Sequence, residues 1–371
     1  MIKNILTIII SIIIISSIAC ENDRKPNYNN NLLQNNSPDS TDIDFICDSL
    51  ETMKFQKYII ADENDLQSIK NEYDYSNKSS FKNKLIRVLN RKDFRFFRVG
   101  DTIVRPDRIT NNILDYSIFP SCYREAKDIP KLIVISNKYQ CYACYENGKL
   151  VQFAAANTGK ERTQTYPGKY YTNWKKKNHR SSIDSNWRLP FNVNFHLQAG
   201  NAFHQFTMPG RPVSHSCVRQ FMSDAEWLFN WVEKAKFDTN RRIIQQGTLV
   251  IIIDVFDFNR KKFGPWLDIA DNKSANIILP KDPNNYEEPF IPLSQIPAGA
   301  RGSLKNKERY INAVDSLVAR GYLRPDVKVT PSVNYNHLRK QRREAAAKAK
   351  AEKLKLEEES KIKQNTPIEE P

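Results

Sequence analysis

Residues 203–219 read Phe-His-Gln-Phe-Thr-Met-Pro-Gly-Arg-Pro-Val-Ser-His-Ser-Cys-Val-Arg and carry the densest chemistry of the chain. They include His204 and His215, two of the five histidines, and Cys217, one of the six cysteines. A cysteine is nucleophilic only as thiolate, so it needs a base or positive charge that lowers its pKa from about 8.5. The prolines and the glycine between the histidines turn the chain, which can bring His204 back beside Cys217. The stretch predicts a Cys/His acyl-transfer site.

The residue order of this stretch resembles the His…Ser/Thr-His-Gly-Cys-x-Arg signature of the YkuD-type L,D-transpeptidases. Here His204 is followed by Ser-His-Ser-Cys-Val-Arg at residues 214–219. Two positions differ from the common signature, Gln205 and Ser216, where many members of the family have Gly. Ser216 therefore places a side chain next to the nucleophile, at the position that shapes the oxyanion hole in this family.

The resemblance extends over residues 130–255. Leu132–Ser136 and Leu150–Ala156 are rich in β-branched, aromatic and other apolar residues, which predicts strands on either side of a hairpin turn. The family's Asn-Thr-Gly-Lys occurs at 157–160, and its closing Gly-Thr-x-Val-x-Ile occurs at 247–252. We therefore expect a mainly β (α+β) fold: an L,D-transpeptidase-type β-sandwich or barrel over residues 129–256, with a helix after the cysteine loop.

The resemblance also implies roles for the residues of the site. Cys217 is the expected nucleophile and His204 the expected base, and backbone N–H groups near the cysteine are expected to hold the oxyanion. Arg219 is expected to pair with a substrate carboxylate or to brace the loop, since its guanidinium is a rigid fork of donors. The remaining supporting or substrate-binding candidates are His215, Ser216, Ser214 and Gln205. No metal or organic cofactor is expected.

The function implied is a peptidoglycan L,D-transpeptidase that forms 3–3 cross-links, or attaches a protein, through a Cys217 thioester. The substrates are then peptidoglycan stem peptides. One alternative keeps the same acyl-enzyme but lets water complete the reaction, giving an L,D-carboxypeptidase or amidase. A second alternative, from another functional class, is a peptidoglycan-binding lipoprotein without catalysis.

Composition favours an anionic environment for the protein. Lys and Arg number 57 against 42 Asp and Glu, a formal net charge of +15. Such a charge suits nucleic acid, anionic lipid or a carboxylate-rich polymer such as peptidoglycan. No nucleic-acid-binding motif is recognisable, and the aromatic residues are not interleaved with the basic ones, so no nucleic-acid partner is expected.

The N-terminus has the layout of an export signal. Residues 1–20 combine Lys3, an Ile-rich apolar run and small residues before Cys20, which predicts a lipoprotein-type signal peptide. Cys20 is then the lipidated residue, and the protein is anchored to a membrane at the bacterial cell envelope, in the periplasm. An uncleaved signal anchor or an ordinary signal peptide are the alternatives. Residues 21–42 are polar and predict a disordered tether.

The other segments are predicted in outline. Residues 43–128 form a mixed N-terminal accessory segment with short helices, either wall-binding or a cap on the catalytic domain. Residues 257–330 are a C-terminal extension without a functional interpretation. Residues 331–371 are rich in Ala, Lys, Glu and Arg and predict a charged helical or disordered tail.

Three local patterns give further expectations. The basic run 175–180 is typical of a solvated loop at a hairpin end, and Ser223-Asp-Ala-Glu226 has the form of a capping box at a helix start. Cys141 and Cys144 have C-x-x-C spacing in an extended segment, where residues three apart point to opposite faces. That geometry disfavours a shared metal or redox site.

Overall fold

The computed structural model describes residues 49–240, 242–260 and 264–364. The signal peptide with Cys20 and the tether lie outside the described residues, so these predictions are not addressed by the structure. Within the described ranges, no helix combines the length and the apolar character that crossing a membrane requires.

The strands follow the predicted pattern over most of the chain. They are β1 (Phe55–Ile59), β2 (Thr102–Pro106), β3 (Leu132–Ser136), β4 (Cys141–Glu146), β5 (Lys149–Ala155), β6 (Gly168–Tyr171), β7 (Lys175–Arg180), β8 (Arg188–His196), β9 (Asn201–Gln205), β10 (Val218–Gln220), β11 (Lys236–Phe237), β12 (Ile243–Gln245) and β13 (Leu249–Ile252). The helices are α1 (Glu63–Glu72), α2 (Phe81–Asn90), α3 (Met222–Trp231), α4 (Lys307–Ile311), α5 (Ala313–Ala319) and α6 (Tyr335–Gln364). The expectation of a mainly β fold with a helix after the cysteine loop is confirmed.

Two larger sheets lie within residues 132–252. The five-stranded sheet has the order β5-β4-β3-β13-β6, and its only parallel pair among the described strands is β3 with β13. The four-stranded sheet has the order β10-β9-β8-β7, with β9 and β10 parallel and the other pairs antiparallel. All residues of β3 and of β13 are buried, because both faces of the five-stranded sheet are covered.

One face of the five-stranded sheet packs against the four-stranded sheet. The shared apolar cluster includes Ile133 and Cys144 from the first sheet, Phe195 and Phe203 from the second, and Leu228 from α3. The other face packs against the N-terminal segment through a second cluster. That cluster includes Met53, Leu85, Val88, Cys141 and Ile251. Cys141 and Cys144 thus point to opposite faces of β4, as expected.

The N-terminal segment is joined to α3 by a charged contact as well. Lys84 on α2 lies 3.1 Å from the carboxylate of Asp224 on α3, and that carboxylate is fully buried. The segment also has a small cluster of its own, between α1, α2 and β2. Residues 49–106 therefore contribute directly to the packing of the five-stranded sheet.

Two local predictions were wrong. The basic run 175–180 is strand β7, paired antiparallel with β8, so cross-strand hydrogen bonds override its polar composition. Helix α3 begins at Met222 after Phe221, and its cap makes no side-chain hydrogen bond. Ser223 thus lies inside the helix and does not cap it.

Candidate active site

Parallel pairing of β9 and β10 brings the two ends of the 203–219 stretch together. In this register His204 lies opposite Arg219, and Val218 lies opposite Phe203. Cys217 immediately precedes β10 and is a free cysteine with partial exposure. The loop between the strands therefore closes on itself, as the turn residues predicted.

Residues that follow β5 form hydrogen bonds with the loop that contains Cys217. The backbone N–H of Ser214 donates to Thr158 O at 3.0 Å, and Thr163 Oγ1 donates to Ser214 O at 3.1 Å. The buried Ser214 hydroxyl donates to the carbonyl of Cys217. Ser214 thus binds residues 158–163 through its backbone and the carbonyl of Cys217 through its hydroxyl.

Ser216 has the left-handed backbone conformation, with φ of +77°. Its Oγ donates to Asn201 Oδ1 at 2.9 Å, and its carbonyl accepts from Thr165 Oγ1 at 3.0 Å. A non-glycine residue in this region is strained and persists only where its surroundings fix it. The conformation explains why glycine suits this position, and the two hydrogen bonds explain how a serine occupies it.

Burial determines the protonation of the Cys/His pair. It raises the pKa of the Cys217 thiol to about 11, against the smaller lowering effects of a hydrogen bond from the Ala202 backbone and of the Arg219 charge. It lowers the pKa of His204 to about 4. His204 Nδ1 lies 3.0 Å from Gln205 O, so the tautomer that donates from Nδ1 leaves Nε2 able to accept a proton. The resting pair is a neutral thiol beside a neutral imidazole.

His215 lies among groups from distant parts of the chain. Its Nε2 is 3.5 Å from Lys160 Nζ and 3.3 Å from the Tyr335 hydroxyl, and its ring is 5.5 Å from the ring of Trp187. Burial and the nearby positive charge of Lys160 lower its pKa to about 4. His215 is thus an uncharged group in contact with the C-terminal part of the protein.

Arg219 contacts the loop itself. Its Nη1 donates to Thr207 O at 3.1 Å, and its guanidinium lies 4.7 Å above the Phe206 ring. Its backbone exchanges two hydrogen bonds with Asn157. In this conformation the arginine braces the loop, which is one of the two roles expected for it. Gln205 is partly buried, and its backbone carbonyl orients His204.

Cys217 lies between two cavities. The smaller, about 50 Å³, is shared with four other predicted residues: His204, Ser214, His215 and Arg219. The larger, about 320 Å³, is lined on the loop side by His215, Ser216 and Cys217. The structure thus brings together six of the predicted site residues. Gln205 lines neither cavity, and Cys20 lies outside the described residues.

The larger cavity also has walls that the sequence did not indicate. His179 on β7 and Asn192 on β8 line it, and so do residues 330–333 and Tyr335 near the start of α6. Sequence analysis assigned His179 to a solvated loop and had no functional interpretation of the C-terminal segments. The only available signal was the presence of polar residues in apolar strands, Asn192 and Asn194 within β8.

The C-terminal wall is attached by specific hydrogen bonds. We name residues 330–339 the C-terminal strap. Thr330 N donates to Arg162 O at 2.8 Å, and Tyr335 N donates to Ile183 O at 2.7 Å. Both guanidinium Nη atoms of Arg339 bind the carboxylate of Asp184, at 2.6 and 2.9 Å. The strap thus fixes the loop between β7 and β8 beside the cavity.

Comparison with known proteins identifies the central region of the chain. Residues 130–252 match the family model of YkuD, the L,D-transpeptidase catalytic domain. The resemblance inferred from the 203–219 stretch is therefore confirmed over that segment. No curated protein sequence matches the chain.

Several solved structures are similar to parts of this chain. An L,D-transpeptidase (Yku) from Stackebrandtia nassauensis is 23% identical over 34% of this chain and 57% of its own, with a TM-score of 0.28. An L,D-transpeptidase from Mycobacterium smegmatis is 15% identical over 34% and 59%, with a TM-score of 0.28. An L,D-transpeptidase (residues 123–326) from Xylanimonas cellulosilytica is 17% identical over 54% and 97%, with a TM-score of 0.32. The chain spans less than two thirds of the length of the first two.

Proposed function

We propose that this chain, whose residues 130–252 match the YkuD L,D-transpeptidase catalytic domain, is a peptidoglycan L,D-transpeptidase that works through a thioester at Cys217. The observation that carries the proposal is the convergence of Cys217, His204 and Arg219 on one small cavity. His204 and Arg219 lie opposite each other on two strands that are paired in parallel, and Cys217 immediately precedes the second of these strands.

Acylation begins with transfer of the Cys217 proton to His204 Nε2. The thiol holds its proton more tightly than the imidazole, since their pKa values are about 11 and about 4. Proton transfer is therefore coupled to attack of sulfur on the substrate carbonyl, and a stable thiolate–imidazolium pair does not precede it. Backbone N–H groups around Ser216 and Cys217 stabilise the oxyanion. The leaving amine takes the proton back from His204.

The proposed substrate is a tetrapeptide stem, cleaved between its diamino acid and its terminal D-Ala. A side-chain amine of a second stem then attacks the thioester, releases the thiol and leaves a 3–3 cross-link, or the amine of a protein takes that place. Support for stem peptides comes from the family match at 130–252. Support for an envelope location with a lipid anchor at Cys20 comes from the N-terminal sequence pattern.

The test is mass spectrometry of muropeptides after incubation of the purified full-length protein with tetrapeptide fragments. We expect a cross-linked dimer that has lost one D-Ala, absent with Cys217→Ala and reduced about 100-fold or more with His204→Gln. Cys141→Ala is the matched control, because its thiol is buried in the core and lines neither cavity.

Other outcomes separate the alternatives. Tripeptide without dimer replaces the transpeptidase proposal by a carboxypeptidase that uses the same cysteine. Unchanged tetrapeptide with all four proteins contradicts an acyl-transferring function on these substrates. In that case retention of the protein on sacculi supports the non-catalytic peptidoglycan-binding lipoprotein.

A further inference from the structure

The larger cavity beside Cys217 contains two buried polar atoms that lack a partner. Asn192 is 1% exposed, and its Oδ1 has no hydrogen-bond partner among the described residues. The same holds for the buried Nδ1 of His179. Both residues line the cavity that Cys217 also lines. A buried polar group without a hydrogen bond destabilises the folded state, so its presence next to a nucleophile needs a reason.

The backbone turns Asn192 toward this cavity at an energetic cost. Leu189 and Asn192 both line it, although residues three apart on a regular strand point to opposite faces. Phe191, which lies between them, has φ of +52°, in the left-handed region that bulky residues avoid. Strain of this kind is commonly found at functional sites. The conformation of Phe191 interrupts the alternation of side-chain directions along β8 next to Asn192, which lines the cavity.

A second asparagine on the same strand, Asn194, has a structural role and serves as the comparison. Asn194 Nδ2 donates to His196 O at 3.0 Å and to Asn201 O at 3.1 Å, and its Oδ1 accepts from Asn173 Nδ2 at 3.0 Å. Asn194 is as deeply buried as Asn192. The two residues differ in that the amide oxygen of Asn192 has no hydrogen-bond partner among the described residues.

We propose that Asn192, assisted by His179, determines specificity by hydrogen-bonding an uncharged peptide unit of the donor stem in this cavity. The assignment rests on the proposed function, since it takes the stem as the substrate. An asparagine amide offers an acceptor and donors side by side, which matches the N–H and C=O of a peptide unit. His179 adds one further hydrogen-bonding nitrogen on the neighbouring strand.

The electrostatics of the cavity favour an uncharged ligand group. No Asp, Glu, Lys or Arg belongs to its lining among the described residues. Burial lowers the pKa of His179, with a further contribution from Lys176, and the pKa of His215 is lowered to about 4. Both imidazoles are therefore neutral near pH 7, and the Lys160 ammonium, 3.5 Å from His215 Nε2, is not part of the lining.

The experiment compares Asn192→Leu with Asn178→Leu in the full-length protein. Asn178 is the matched control, because it is exposed on the same hairpin and does not line the cavity. Binding of a stem tetrapeptide is measured by calorimetry in a Cys217→Ala background. We expect Kd to rise about tenfold for Asn192→Leu. For Asn178→Leu we expect a change within about twofold.

Thermal unfolding supplies a readout that separates binding from structure. Asn192→Leu is expected to keep or raise Tm, because it removes an unpartnered buried amide. Asn194→Leu is expected to lower Tm, because it leaves its partners unpaired. In the active protein, KM should rise for Asn192→Leu with a smaller change in kcat, and Asn192→Asp should weaken binding further by placing a charge in a neutral cavity.

The outcomes distinguish a failure of the role proposed for Asn192 from a failure of the proposed function. Unchanged Kd and KM for Asn192→Leu, or a loss of Tm as large as that of Asn194→Leu, would overturn the role of Asn192. The proposed function remains intact in that case if the unsubstituted protein still converts the stem. An unsubstituted protein that neither binds nor converts the tetrapeptide overturns both.

Discussion

Ser216, which directly precedes Cys217, has an unusual backbone conformation. Its φ of +77° places it where glycine is unstrained, whereas its hydroxyl binds Asn201 and its carbonyl binds Thr165. The serine side chain adds one contact that glycine lacks, the hydrogen bond to Asn201, whereas the contact with Thr165 uses the backbone carbonyl. The backbone next to Cys217 is thus held by hydrogen bonds even though its local conformation is unfavourable for serine.

Substitution of Ser216 tests this balance. We expect Ser216→Gly to change the free energy of unfolding by less than about 1 kcal/mol, since relief of strain offsets the lost hydrogen bond. Ser216→Val should lose about 2 kcal/mol or more, because a β-branched residue fits this region poorly. Denaturant unfolding measures both. Ser223→Gly, inside α3, is the contrast and should lose about 1 kcal/mol. Equal losses for Gly at both serines would contradict the strain at 216.

The C-terminal strap acts at the level of secondary-structure elements. It joins the start of α6 to the loop between β7 and β8 and supplies one wall of the cavity beside Cys217. Helix α6 is polar, and its residues 340–359 are all exposed. The helix contributes little to the core, so the function of its first turn is best sought in these contacts.

Arg339→Ala removes the bidentate contact with Asp184. We expect faster amide hydrogen exchange in residues 181–187 by about tenfold and a higher KM for the stem peptide, because the cavity wall is less firmly held. Hydrogen exchange with mass spectrometry measures the first effect. Arg342→Ala, exposed on the same helix, is the control and should change neither. Unchanged exchange in 181–187 with Arg339→Ala would show that the backbone bonds of the strap suffice without the ion pair.

The whole molecule is organised around the five-stranded sheet, which is buried on both faces. The N-terminal segment covers one face, and the four-stranded sheet with α3 covers the other. Burial on this scale also places three histidines, His196, His204 and His215, in surroundings that exclude their charged form. The pKa of each is lowered to about 4 by desolvation.

These histidines predict the acid response of the protein. Their folded pKa values lie below that of an unfolded histidine, about 6.5, so the unfolded state binds more protons between pH 6.5 and 4. Their contribution to stability is present above pH 6.5 and is lost as pH falls toward 4. We expect the urea midpoint to decrease over this range. His196→Asn should reduce the decrease, since an amide oxygen can still accept from the Ala199 N–H. An equally steep decrease in that variant would contradict the assignment.

The sequence by itself determined the strands of the five-stranded sheet, the helix after the cysteine loop and the return of the 203–219 stretch, which places His204 and Cys217 on one small cavity. The strands and the helix follow from local periodicity, and His204 and Cys217 are only thirteen positions apart. Patterns within a short stretch of sequence therefore predict both. Helix α3 shows the limit of such patterns: Ser223 has the form of a cap, but the helix begins at Met222. The helix begins almost directly after strand β10, and a capping motif does not predict this position.

Only the tertiary structure decided how the cavity beside Cys217 is built. Tyr335 reaches His215 across a separation of 120 residues, and β7 forms a wall because β8 pairs with it. The backbone at Phe191 turns Asn192 inward against the period of its strand. Such contacts arise from packing between segments distant in sequence, so composition and spacing carry no record of them. The candidate nucleophile and base could therefore be named from the sequence, whereas the groups proposed to recognise the substrate appeared only in the folded chain.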